Sequence, residues 1–476
     1  MKTRFLIPAF LVSLLTVGSY SNILHVPATY ATIQAAINSS SNEDTVLVEP
    51  GTYMENINFR GKKIVLTSKY YLNNDPIFIN TTIINGSSPT QPDSASCVRI
   101  TSGEDSTTVL QGFTLTGGTG TKWQDIHGAG RYREGGGILI ELSSPIIQNN
   151  IIINNQATNT QGVTSAGGGG LRIGDGNPRI LNNAILFNTA RYGPGIVLNY
   201  TGCIIKNNII CSNSGGQDYN GGSGIWGLNN FSGGFPKIIE NNTIVNNSAA
   251  VGTAGILVWS TTLIIRNNII WGNTSPSGTQ ILLSGGIANV TYCDVQGGFT
   301  GAGNISQEPL FADTNYILNN NSACIDKGDS SFIYNDPVDP QHTDFAKYPA
   351  KGTVRNDMGA YGGPGSEMLS TSFIGIRRNT NQVPNGFRLF QNYPNPFNPT
   401  TEIRFNVPFD VSRETSNVKI IVFDITGKTI SALVDEQLLP GFYEMAWNGS
   451  NFTSGVYFYE LQINSISETK KMILLK

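Results

Sequence analysis

The sequence predicts an all-β chain, a right-handed parallel β-helix solenoid followed by a small antiparallel β-sandwich, and three observations point to it. Five Asn-Asn pairs begin at Asn149, Asn182, Asn207, Asn241 and Asn267, so the spacing runs 33, 25, 34 and 26 residues. Around each pair an Ile stands two residues before (Ile147, Ile180, Ile205, Ile239, Ile265) and two after (Ile152, Ile185, Ile210, Ile244, Ile270). A Gly-rich segment precedes each unit: GGGILI (135–140), GGGLRI (168–173), GPGIVL (193–198), GSGIW (222–226) and TAGILVW (253–259). A repeat of this length is one unit that cannot bury its apolar face alone and must stack on its neighbours. β-Branched residues at even spacing are strand chemistry, and Asn at a tight bend tolerates the left-handed backbone that Ile cannot enter. A further Asn follows each pair by five residues (Asn155, Asn188, Asn213, Asn247, Asn273), and stacked coils let such side chains bond to one another up the axis.

Taken from the start, Lys2 and Arg4 precede an apolar run from Phe5 to Val17 and then Gly18-Ser19-Tyr20-Ser21. That is the pattern of an export leader over residues 1–21, and the run is too short to span a bilayer. Thr29 is placed to cap a short helix whose Tyr30, Ile33, Ala36 and Ile37 share one face, a lid for the first coil. Early strands are expected at Thr45–Val48, Ile57–Phe59 and Ile64–Thr67, with further coils through 81–88 and 107–118. Residues 119–134, TGTKWQDIHGAGRYRE, are read as a loop, the most chemically diverse of the chain. The last full coil is NVTYCDVQGG (289–298).

The pattern of pairs, Ile columns and Gly-rich strands over residues 22–363 resembles the pectin-lyase-like β-helix superfamily. The stretches "ATIQAAI" to "DTVLVEPGTY", 308–329 and 355–364 resemble the entry and closing segments of secreted β-helix proteins. In the closing segment Asp326 and Asp357 are expected to tie backbone at a C-terminal cap. Asp336, Asp339 and Asp344 raise the option of a calcium ion, but their order fits a solvated acidic loop better. No other cofactor or metal is expected.

Residues 364–386 are polar and aperiodic, a linker. From 387 to 476, alternating strands separated by Asp-Ile-Thr-Gly, Pro-Gly and Asn-Gly turns make a sandwich. Asn392-Tyr393-Pro394-Asn395-Pro396-Phe397-Asn398-Pro399, Asp424 to Gly427, Gly455-Val456-Tyr457 and the Lys-rich last strand strongly resemble the type A C-terminal sorting domain of the type IX secretion system. The resemblance implies passage through the outer membrane, removal of the domain and attachment to surface lipopolysaccharide, with the secretion machinery as a partner.

Charged residues are 13% of 476 and the formal net charge is −3, which gives no electrostatic basis for a nucleic-acid partner. Five cysteines, an odd number without metal-ligand spacing, leave room for one or two disulfides after export. Inverting glycosidases of this fold need Asp residues where the Gly-rich strands begin, and Gly135, Gly168, Gly193, Gly222 and Thr253 with their neighbours are read as supplying no such carboxylates, which disfavours a polygalacturonase. A lyase needs a base and a cation for the uronate, for which His127, Arg131 and Arg172 are the candidates. Alternation puts Leu139, Arg172, Val197, Trp226 and Leu257 on the outer face of the Gly-rich strands, and Trp226, Trp259 and Trp123 are candidates to stack on sugars. The reading is a secreted or cell-surface monomer that binds a polysaccharide or acts as an adhesin. The alternatives are a lyase or epimerase on acidic polysaccharides, and a structural spacer.

Overall fold

The computed structural model describes residues 21–230, 233–312, 315–370, 377–380, 384, 386–398, 400–408, 416–438, 440–449, 452–464 and 466–475. Residues 1–20, over which the leader is expected, lie outside them. Three long parallel sheets, and a fourth of four two-residue strands, run along the solenoid, and a regular coil gives one short strand to each. The first sheet has ten strands and includes those that end before the Asn pairs: Ile146–Gln148, Arg179–Leu181, Cys203–Lys206, Lys237–Glu240 and Thr262–Arg266. The second has nine and holds the strands that follow the pairs, such as Ile151–Ile153, Ala184–Leu186 and Ile209–Cys211. The third has eight and holds the Gly-rich strands Ile138–Glu141, Leu171–Gly174, Ile196–Thr201, Ile225–Asn230 and Ile256–Trp259.

The register stacks like on like. Ile180, Ile205 and Ile239 pair in turn in the first sheet, Ile185, Ile210 and Ile244 in the second, and Leu171, Ile196 and Ile225 in the third. All are fully buried in one continuous core. Each such side chain contributes about 1.5–3 kcal/mol by leaving water.

The two Asn of a pair have different tasks. The first turns the corner, with φ of 53°, 54°, 53°, 49° and 57° at Asn149, Asn182, Asn207, Asn241 and Asn267. The second points inward and joins a buried ladder. Asn150, Asn183, Asn208 and Asn242 each donate a side-chain amide to the Oδ1 of the next at 3.0–3.1 Å, ending at Asn268. Asn155, Asn188, Asn213 and Asn247 form a second ladder, ending at Asn273, at 2.8–3.1 Å.

Several expectations are corrected. The lid helix is Ile33–Ser39, and its N-cap is Thr32, not Thr29, because Thr32 Oγ1 accepts the Ala35 amide at 3.1 Å. The stretch 119–134 is not a loop but an antiparallel hairpin of Gly120–Gln124 and Arg131–Glu134. The closing segment does more than cap an end, for it runs back along the solenoid as a strap. Met358, Ala360, Tyr361 and Leu369 pack on Ile151, Leu186, Ile209 and Val245 of the second sheet. The Asn207 side chain donates to Ala360 O and Gly362 O at 3.0 and 2.7 Å, and Asn241 to Asp357 O and Gly359 O at 3.0 and 3.2 Å. At Asn207 and Asn241 the corner of the first Asn residues is therefore covered by backbone that accepts from their side-chain amides.

Within the strap Asp326 and Asp357 tie backbone as expected. Asp357 accepts the Asp326 and Lys351 amides, each at 2.8 Å, and Asp326 Oδ1 accepts Thr353 N at 3.0 Å. Asp336 is not a solvated loop carboxyl. It is 2% exposed, and its oxygens accept the amides of Asp357 and Gly363. Burial, with Asp357 close by, pushes its pKa up. Asp339 and Asp344 do not join it, and no group of three or more His, Cys, Asp or Glu among the described residues gathers as a metal site requires. The five cysteines are buried and unbridged.

The expected linker carries structure. Ser366–Met368 is a short 3-10 turn of the strap, and Arg377–Thr380 pairs with Gly441–Asn448. Residues 371–376, 381–383 and 385 lie outside the described residues. Two four-stranded antiparallel sheets follow, sharing a core that includes Phe405, Tyr443, Trp447, Ile420 and Tyr459. No helix of the described residues is long and apolar enough to cross a membrane.

Candidate functional site

The outer face of the third sheet is where the repeat breaks. Inward positions there are aliphatic except Gly227, but the outward ones change from coil to coil: Leu139, Arg172, Val197, Trp226 and Leu257. The hairpin lies beside this face, fixed by parallel pairing of Arg131–Glu134 with Ala166–Gly167. Alternation puts Tyr132 and Glu134 on one side of the hairpin and Arg131 and Arg133 on the other. Its tip is held by His127, whose ring stacks on Tyr200 at 3.6 Å and whose Nε2 lies 2.9 Å from Asp175 Oδ1.

Beneath the hairpin sits a buried ionic network. Arg172 Nε is 3.0 Å from Glu134 Oε2, Nη2 is 3.0 Å from Glu141 Oε1, and all three side chains are at most 5% exposed. The Tyr192 hydroxyl donates to the second Glu134 oxygen. Burial works against the Arg172 charge, but Glu134 and Glu141 outweigh it and hold its pKa above the ordinary value. Glu141 is pushed up to about 8, chiefly by burial and against the pull of Arg172, with Glu134 adding to the rise. Two positions in the chain make room for this packing. A Cβ at Gly174 would stand 2.3 Å from Glu141 Oε2 and 2.5 Å from Arg172 Nη1, and one at Gly167 would stand 2.3 Å from the Tyr192 ring.

Above the network is a cavity of about 110 Å³, walled by five aromatic rings, Tyr132, Tyr192, Tyr219, Trp226 and Trp259. Tyr192 packs on Tyr219 edge to face at 5.2 Å and on Trp226 at 5.1 Å, and Trp226 meets Trp259 at 6.1 Å. The Trp226 indole N–H donates to Tyr219 O at 2.9 Å, which ties the loop carrying Tyr219 to the sheet. Asp125 from the hairpin tip, Asn199 and Leu228 complete the mouth, and Glu134 and Arg172 lie at the floor.

The residues expected from sequence divide accordingly. Trp226, Trp259 and Arg172 come together on one cavity, as outward alternation on the Gly-rich strands requires. Trp226 and Arg172 are each only 3% exposed, because the hairpin and loops cover a face that alternation alone left open. Arg172 is not a free cation for a uronate: two carboxylates already hold it. Trp123 faces Tyr132 across the hairpin and is half-buried, off the cavity wall. Arg131 is exposed and on the far side of its strand, and His127 is engaged by Asp175 and Tyr200. The three lyase candidates therefore do not converge on one reacting position. The expected lack of carboxylates is also corrected, for Glu134 immediately precedes Gly135 and Glu141 closes the same strand. Tyr192, Tyr219, Glu134 and Glu141 were missed. The bare Gly174 and Gly167, and the clustering of Glu134 with aromatics and Arg in one non-repetitive stretch, were the available signals.

Comparison with known proteins bears on the other end of the chain. Residues 391–475 match the family model of the secretion system C-terminal sorting domain. The chain is thus marked for type IX export, to the cell surface or beyond it. No curated protein and no solved structure matches the chain.

Proposed function

We propose that this chain is a surface-delivered β-helix of the pectin-lyase-like kind whose third-sheet cavity binds a carbohydrate ring and does not cut it. The aromatic cavity carries the reading: stacked ring faces suit the apolar face of a pyranose, and the polar floor offers groups for its hydroxyls. A leader over 1–21, a β-helix over 22–363 and a sorting domain over 387–476, joined by the stretch 364–386, are the organisation that goes with it. Among the described residues His127, Arg131 and Arg172 stand apart, which favours binding over lyase chemistry. The test is a glycan panel probed with the full chain and with Tyr219→Ala and Trp259→Ala, both half-buried at the mouth and so the mildest to remove. Saccharide binding that falls in both variants at unchanged melting temperature supports the reading. Binding that neither substitution alters would place the site elsewhere.

A further inference from the structure

The charge around the cavity decides what kind of ring it would admit. Asp125 stands at the mouth and Glu134 at the floor. Arg172, the one cation of the lining, is shared between Glu134 and Glu141. The nearby cations do not change the balance. Arg191 is locked in two bonds to Asp218, at 2.7 and 2.8 Å. Arg133 turns its guanidinium to Thr119 O and Pro92 O, on the side of the hairpin away from Glu134. An anionic sugar would thus meet carboxylates with no cation to spare, at a site where low dielectric makes that repulsion costly.

Aromatic walls, the Asp125 carboxylate at the mouth and a floor whose one cation is already paired form instead a site for an organic cation. Ring faces attract an ammonium through their quadrupole, and a carboxylate adds a charge-assisted hydrogen bond. Asp125 is poised for this: its Oδ1 accepts the amides of His127 and Ala129 at 2.8 and 3.2 Å, which orients the carboxylate and leaves Oδ2 outside those bonds. We infer that the cavity takes a sugar bearing a free, protonated amino group, a hexosamine unit, in preference to its N-acetylated or uronic counterparts. The inference rests on the carbohydrate reading above and adds the charge of the ligand to it.

The experiment is calorimetric titration of the full chain with glucosamine oligomers, N-acetylglucosamine oligomers and galacturonate oligomers, at a pH where the amine is protonated. Glucosamine oligomers should bind about tenfold more tightly than the other two, a difference of about 1.4 kcal/mol, and added salt should weaken them selectively. Asp125→Asn keeps an acceptor for the two amides that shape the hairpin tip, so it should fold, and it should erase the preference. Glu134→Gln serves as a second variant, with melting temperature as the check on its fold. Equal affinity for free and N-acetylated oligomers, or a preference for galacturonates, would overturn the inference and leave carbohydrate binding standing. A preference that survives both substitutions would overturn it as well. Absence of binding to all three would overturn the inference as well, while the glycan panel decides the carbohydrate reading.

Discussion

Asn208→Ala tests whether the interior ladders hold the coils together. In the native chain the Asn208 side chain donates to Ile180 O at 2.8 Å, Lys206 O at 2.9 Å and Asn242 Oδ1 at 3.0 Å. Its own Oδ1 accepts the backbone N–H and the side-chain amide of Asn183, at 2.9 and 3.1 Å. The residue is fully buried, so water cannot replace these partners. A net contribution of about 1 kcal/mol per hydrogen bond, plus the penalty of a stranded backbone N–H at Asn183, gives a loss of roughly 3–6 kcal/mol. Asn208→Asp sharpens the test. It keeps the acceptor but turns the donor into an oxygen facing Ile180 O, Lys206 O and Asn242 Oδ1, so the carboxyl is pushed to a raised pKa. A raised acid supports the fold below its unfolded value and loses that support as pH climbs through its folded value. Asn208→Asp should therefore lie closer to wild type in acid than at neutral pH. Urea unfolding by tryptophan fluorescence, with hydrogen exchange at the Asn183 amide, measures both. Asn208→Ala within about 1 kcal/mol of wild type, with that amide still protected, would falsify the ladder as a source of stability.

Ile210→Asp places an unpaired charge between Ile185 and Ile244 in a dry core, and should cost several kcal/mol or abolish folding; a variant melting like wild type would mean a wrong register. The strap should loosen as pH rises, because burial pushes the Asp336 and Asp357 carboxyls above the ordinary carboxylate range, Asp357 to about 7. Their support is complete below about pH 4 and is lost as pH climbs through the folded values. Asp336→Asn, which keeps an acceptor for the Asp357 and Gly363 amides, should flatten the fall in melting temperature between about pH 5 and pH 9; an unchanged slope would remove this carboxyl from the account. Deleting 387–476 should leave a folded solenoid that stays in the periplasm of the native host, and normal recovery of the truncated chain at the cell surface would defeat the sorting role.

The solenoid was legible because its parts answer to the same environment five times over. An Ile two residues either side of a corner always meets another Ile one coil away, and an inward Asn always meets another Asn. Periodicity therefore records burial, and Ile147, Ile210 and Asn208 could be placed from spacing alone. The candidate site has no such record. Alternation assigned Arg172 and Trp226 correctly to the outer face of their strands, yet whether that face meets solvent depends on segments of other coils. Arg172 is buried by Glu134 from 38 residues earlier, and Tyr192 reaches Glu134 across 58 residues. The carboxylate, by contrast, was legible in the sequence: Glu134 is the residue directly before Gly135, at the end of the hairpin strand that leads into that Gly-rich strand. The strap was misjudged in kind, because Asp326 and Asp357 mark how it is tied together and say nothing of which face it lies on.

The irregular part of the repeat is what distinguishes the faces. A coil without added loops needs 25 or 26 residues between Asn pairs, as 182→207 and 241→267 do. The 33-residue interval 149→182 adds a loop whose Thr164 and Ala166 pair with the hairpin, Thr164 N donating to Arg131 O at 2.7 Å. The 34-residue interval 207→241 includes the stretch that brings Tyr219 over Trp226. Extra length thus falls at the third sheet, where it brings a hairpin, a brace and an aromatic ring to one cavity, while the second sheet is covered by chain that follows the last coil. A solenoid cannot change its inward residues without breaking columns and ladders. Its specificity must be written in outward positions and in the loops that roof them, and both depart from the repeat around Glu134, Arg172 and Trp226.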